Sequence, residues 1–100
     1  MENLKSIVRN VVEGYAGKAY NGQLYLTISP NEDVYTIVGV GVINGQRFVN
    51  TGLVVHIVGN IVIVERDQND KIVLDALLQA GVPRSQIVLA YAGEAVPETA

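Results

Sequence analysis

From Leu4 to Tyr15 the apolar residues fall at Leu4, Ile7, Val8, Val11, Val12 and Tyr15. That spacing lays one stripe along a helix and leaves Glu2, Lys5, Arg9 and Glu13 largely off it. Gly14 and Gly17 bracket the end of the stripe and predict a stop. After a loop from Lys18 to Gly22, the period changes from helical to alternating. Gln23 to Ser29 puts Leu24, Leu26 and Ile28 on one face and Tyr25 and Thr27 on the other, the pattern of a half-buried strand. Pro30-Asn31-Glu32-Asp33 predicts a turn. Val34 to Ile43 follows as a long β-rich run, with Gly39 and Gly41 on the face opposite its even-numbered Val and Thr residues, where something packs close or the strand bends. Asn44-Gly45 predicts a type I′ hairpin turn. The return strand runs from near Gln46 to Val58 with a bulge or bend at Gly52. Gly59-Asn60 then turns the chain into Ile61 to Glu65.

Four strands joined by such short turns predict an antiparallel meander, because parallel neighbours need long crossovers. Leu53, Val55 and Ile57 share one face of the third strand, with Val54, His56 and Val58 on the other. Ile61 and Ile63 alternate with Val62 and Val64 in the fourth. Both strands are therefore apolar on both faces. Helices can cover one face; the other needs a lid, a partner chain or a further helix. Arg66 to Asp70 reads as a polar hinge, with Asp67, Asn69 and Asp70 as candidate N-caps. Lys71 to Ala80 predicts a second helix with Val73, Leu74, Leu77 and Leu78 inward, stopped by Gly81 and Pro83. Pro83 to Gln86 is a turn and Ile87 to Tyr91 a short apolar segment. The expected fold is α+β: an N-terminal helix, a four-stranded antiparallel β-meander, a second helix packed on the sheet, and a short C-terminal apolar segment. Residues 1–91 form one domain, and residues 92–100, small, polar and interrupted by proline, are expected to be a flexible tail.

Composition narrows the function. One hundred residues, 49% hydrophobic, can build one core, while only 17% are charged, which leaves room for an apolar face turned to a partner. The net charge is −3, and no two of the seven Lys and Arg residues are adjacent, so nothing in the sequence tracks a phosphate backbone and direct nucleic-acid binding by this chain alone is disfavoured. The chain has no cysteine, which removes disulfides, thiolate nucleophiles and Cys-ligated zinc and suits a reducing cytoplasm. The N-terminus is not patterned as a signal peptide, and no apolar run has the ~18 residues of a membrane span.

Candidate chemistry is sparse. His56 is the only histidine, so a metal site built on it would need carboxylates as its other ligands. Its commoner role, between valines on a strand, is a hydrogen-bonded structural one. Glu65, Asp67 and Asp70 cluster at the hinge, where they could bind a cation or serve as acid and base; the plainer reading is helix capping. The glycines at 39, 41 and 45 fit neither a dinucleotide fingerprint nor a phosphate loop, and no serine sits in a nucleophile-elbow context. No cofactor is implied. Tyr25 and Tyr35, on facing strands, are expected to form a cross-strand pair or part of an interface on the side away from Leu24 and Leu26.

The stretch from His56 to Tyr91 resembles the XisI family, the excision-controlling factors of cyanobacteria. The matching residues are His56-Ile57, Gly59, Ile61 to Val64, Ala80-Gly81-Val82-Pro83, and Ile87-Val88-Leu89 with Tyr91. Upstream, the opening helix ending in Tyr15-Ala16 and the order of the two hairpins also fit, so the likeness covers roughly residues 1–91. The chain departs from the family pattern at Val58, where an acidic residue is usual, in an all-aliphatic return strand, and in its ending from Gly93 to Ala100. The resemblance implies a non-enzymatic, cytoplasmic regulatory protein. It would act with XisH, a nuclease-like partner, in the programmed excision of a DNA element by a site-specific recombinase. On that implication the docking face for an XisH-like protein, or for a second copy in a homo-oligomer, is expected at Val54, His56, Val58, Val62, Val64, Tyr25 and Tyr35. The alternative is a small-molecule- or metal-binding domain using His56 with Glu65 or Asp67.

Overall fold

The computed structural model describes residues 3–97. Glu2 and the last three residues of the expected tail lie outside them. The apolar stripe forms helix α1 (Leu4–Glu13), whose first turn is capped by Asn3: its Oδ1 accepts the Ser6 N–H at 2.8 Å. A six-stranded sheet follows, β1 (Gly17–Ala19), β2 (Gly22–Ile28), β3 (Val34–Ile43), β4 (Gln46–Val58), β5 (Ile61–Asp67) and, after helix α2 (Val73–Gln79), β6 (Ile87–Leu89). The strands lie side by side in chain order. All neighbours are antiparallel except β5 and β6, which the crossover through α2 makes parallel.

The α+β class and the meander β2 to β5 agree with the sequence reading, and the strand count does not. The sheet has six strands and is mixed. The two extra strands are three residues each, one inside what reads as a loop and one inside the short C-terminal apolar segment. Neither is long enough to show an alternation, and each exists only because a longer neighbour offers it an edge.

Turn chemistry places the hairpins. Asn44 and Gly45 both have positive φ (51° and 79°), as a type I′ turn requires, and they join the two longest strands. Gly52 is the extra residue of a bulge: Ile37 pairs with Leu53, and Val38 pairs with Thr51. Gly41 is a close-approach position, where an added Cβ would collide with the Asn21 carbonyl and lie 2.8 Å from the Phe48 ring.

Both helices lie on one face of the sheet. Val8 and Val12 of α1, and Val73 and Leu77 of α2, join Tyr35, Ile37, Leu53, Val55, Val62, Val64, Ile87 and Leu89 in one buried cluster. Tyr15 links the helices: its hydroxyl donates to the Lys71 carbonyl at 2.8 Å. Burial, with Asp67 and then Asp75 nearby, pushes its phenol pKa up, so it stays a donor.

The C-terminal segment is tied back. The Glu94 carboxylate accepts the Leu89 N–H at 2.9 Å and binds Arg84 Nη2 at 2.6 Å, and the Glu94 N–H donates to the Leu89 carbonyl. The Leu89 amide first, and Arg84 second, hold the Glu94 pKa below its ordinary 4.5. A lowered native pKa adds stability that is present in full above the ordinary value and is lost as the pH falls through the lowered one. Glu94→Gln is therefore expected to be less stable than the parent chain at neutral pH and to match it in acid. Paired thermal melts across pH 7 to 3 check this; a gap that did not close on acidification would assign the effect to something other than the charge.

The open sheet face as candidate functional site

A two-residue turn at Gly59-Asn60 sets Ile57 opposite Val62 and His56 opposite Ile63. Even-numbered residues of β4 therefore share a face with odd-numbered residues of β5. Val62 and Val64 consequently lie with Val55 and Ile57 under the helices, fully buried. The Gly52 bulge does the same to β3: Tyr35 pairs with Val55, is 1% exposed, and belongs to the core. These three residues are corrected from the expected docking face to the core. Tyr25 pairs with Val38 and Tyr35 with Ile28, so the two tyrosines point to opposite sides of the sheet and form no aromatic pair.

Val54, His56, Val58 and Tyr25 do share the other face, which neither helix covers. The register adds Thr36, Val38 and Val40 of β3, Ile61 and Ile63 of β5, and Val88 of β6. Most of these side chains are half-buried by their neighbours alone; Tyr25 is half exposed, and Ile63, between His56 and Val88 in register, is out of solvent. Thr27 and Thr36, opposite each other, bond through their hydroxyls.

Besides these threonines, and Arg66 opposite Val54, the face carries the pair His56 Nε2 and Glu65 Oε2, 2.8 Å apart. Glu65 reaches His56 because it is the extra residue of a second bulge: Val55 pairs with Val64, and Val54 pairs with Arg66. Such a bulge re-aims its side chain. It also reverses the parity of the residues beyond it, so Asp67 pairs with core-facing Leu53. There its Oδ2 accepts the Val73 N–H at 2.7 Å, at the start of α2, and its Oδ1 accepts from the backbone and side-chain amides of Asn69. Asp67 thus anchors the first turn of α2 from a distance, on the side of the sheet away from His56. The N-cap position itself is Ile72, which has no side-chain cap bond, so none of Asp67, Asn69 and Asp70 is the N-cap. Among the described residues no group of three His, Asp or Glu side chains could hold a metal. A separate cleft of about 600 Å³ lies between α1 and α2, lined by Asn10, Tyr15, Asn69, Asp70, Lys71 and Gln79 among others.

These features define a small α+β domain whose mixed sheet is roofed by helices on one side and open on the other, where an apolar centre surrounds the His56–Glu65 pair. Its sequence matches the family model described as XisI protein over residues 1–99, and the chain belongs to the XisI family. No curated protein matches it. Among solved structures it is similar to an XisI-like protein from Anabaena variabilis, with 20% identity and a TM-score of 0.74 over 85% of this chain and 81% of that one. It is also similar to the fdxN element excision controlling factor XisI of the same organism, with 19% identity and a TM-score of 0.68 over 87% of this chain and 88% of the other. These likenesses bear out the fold. Among the described residues no helix is long and apolar enough to cross a membrane.

Proposed function

We propose that this chain is a non-enzymatic accessory protein that controls excision of a DNA element by docking a protein partner on its open sheet face. The observation that carries the reading is the bare face itself. A domain that buries one side of its sheet under two helices leaves the other side, with Val54, Val58 and Ile61 around the His56–Glu65 pair, uncovered, and largely apolar surfaces of this kind mark interaction sites. Family membership supplies the context, since a structural neighbour is named an excision controlling factor. The acidic net charge of −3 favours a protein over DNA as the direct partner.

The partner proposed is an XisH-like, nuclease-related protein, and the setting a cytoplasm. His56 and Glu65 serve as a polar register mark in the middle of an apolar interface, where a pair already satisfied can be buried at lower cost than a lone charge. Co-expression of the chain with a cognate XisH-like protein is expected to yield a complex that survives size-exclusion chromatography. Separate elution of the two proteins at all concentrations would count against the reading.

A further inference from the structure

We propose that two copies of this chain pair through the distal outer edge of β4, so that the sheet of one runs into the sheet of the other. Strand β5 flanks β4 only from Leu53 to Val58, and the Gly52 carbonyl takes the Gln68 N–H at 2.9 Å. From Gln46 to Thr51 no strand lies against that side of β4 among the described residues. The direction of its peptide groups is set by Val42, which donates its N–H to the Asn21 carbonyl, away from β4. Val42 and its opposite number Arg47 are thus a non-hydrogen-bonded pair of the β3–β4 ladder. By alternation Arg47, Val49 and Thr51 turn their N–H and C=O groups outward.

The terminal strands of the sheet are treated differently. On β6 the Ile87 carbonyl is taken by Arg84 and both backbone groups of Leu89 by Glu94. Strand β1 is only three residues long. Among the described residues the β4 edge has no such plug; it has no proline and one charge, Arg47, and its Val49 is 71% exposed. An unprotected edge of this kind is a pairing template.

The occupant is a second copy because the edge is complementary to itself in one register. An antiparallel partner must fit the outward-facing residues and stop short of Gln68. Centring a two-fold axis on Phe48 does both. Arg47 then exchanges backbone hydrogen bonds with Val49 of the second copy, and Val49 with its Arg47. Phe48 meets Phe48 as a close, non-hydrogen-bonded pair, and Gln46 meets Asn50. The Arg47 stem covers the exposed Val49 of the other copy. Sliding two residues toward the tip sets Arg47 against Arg47, and sliding two the other way drives Gln46 into the space of Gln68. This edge is separate from the His56 region, so loss of the pairing would leave the partner-docking reading intact.

Sedimentation equilibrium of the full chain from micromolar to submillimolar concentration tests the pairing, and a dimer is expected. Val49→Lys, facing Arg47 of the second copy, is expected to weaken the dimer roughly tenfold or more through like-charge opposition. Val49→Glu, facing the same arginine, is expected to preserve or tighten it. A cysteine-free chain allows a second measurement: Phe48→Cys should cross-link on oxidation, since a Cα separation of about 4.5 Å suits a disulfide, while Ile43→Cys should not. A parent chain that stays monomeric, equal weakening by both charges at position 49, or equal cross-linking at 43 and 48 would overturn the proposal.

Discussion

Replacing Tyr35 by alanine is expected to cost about 3–5 kcal/mol of stability, the usual loss for removing a large aromatic from a core. Tyr35 is 1% exposed and packs in the cluster shared by both helices and the central strands. Its hydroxyl donates to the Glu32 carbonyl at 2.5 Å, in the turn between β2 and β3. Burial, and next the Glu32 charge, push its pKa up, so the phenol remains a donor at neutral pH. Tyr35→Phe keeps the packing and loses that bond together with a longer contact to the Lys5 carbonyl at 3.4 Å, so about 1 kcal/mol is expected. Domains of this size hold only about 5–15 kcal/mol in total, so the alanine variant should be near the edge of folding. Urea unfolding of the three proteins checks the order. Were Tyr35 a docking residue, alanine would leave stability within about 0.5 kcal/mol, as exposed substitutions usually do, and would weaken partner binding instead.

The second large effect separates the two faces of the sheet. Val62→Lys places an ammonium group among fully buried apolar side chains, with no carboxylate in the core cluster to meet it. A charge buried without a partner costs several kcal/mol, so this variant is expected not to fold stably. Val54→Lys and Val58→Lys fall on adjacent registers of the same hairpin, yet their side chains lie at a half-buried surface where a lysine stem can bend its ammonium into water. Both are expected to fold, with melting temperatures close to the parent value. Circular dichroism melts of the three variants give the comparison directly.

The sequence and the structure part company at identifiable residues. Helix α1, the Asn44-Gly45 hairpin, the Gly52 bulge, the Gly81 stop of α2 and the class of fold are legible because each rests on local periodicity or on a residue with special backbone freedom. What is not legible is which face a strand residue occupies after a bulge. The bulge at Gly52 moves Tyr35 into register with Val55, and the bulge at Glu65 sends Asp67 to the helix side while holding Glu65 on the His56 side. Neither shift can be counted from alternation, since an extra residue in one strand reverses every position beyond it. Val62 and Val64 were open to correct placement: a two-residue turn at Gly59-Asn60 forces odd against even, and that parity rule assigns them to the core. Strands β1 and β6 need a neighbour to exist and leave no pattern of their own. The Glu94 anchor sits in a stretch whose composition reads as a tail, and only the fold brings it to Arg84 and Leu89.

Val54, His56, Val58 and Tyr25 keep their expected face, and the structure extends it through β3, β5 and β6. The central claim is that this bare face docks the partner. The most direct measurement is a binding titration of a cognate XisH-like protein against the parent chain and the folded double variant Val54→Lys/Val58→Lys. The account predicts saturable binding by the parent and at least a tenfold loss in the double variant, a difference of about 1.4 kcal/mol or more. Equal affinity for both would contradict it and place the partner elsewhere on the domain.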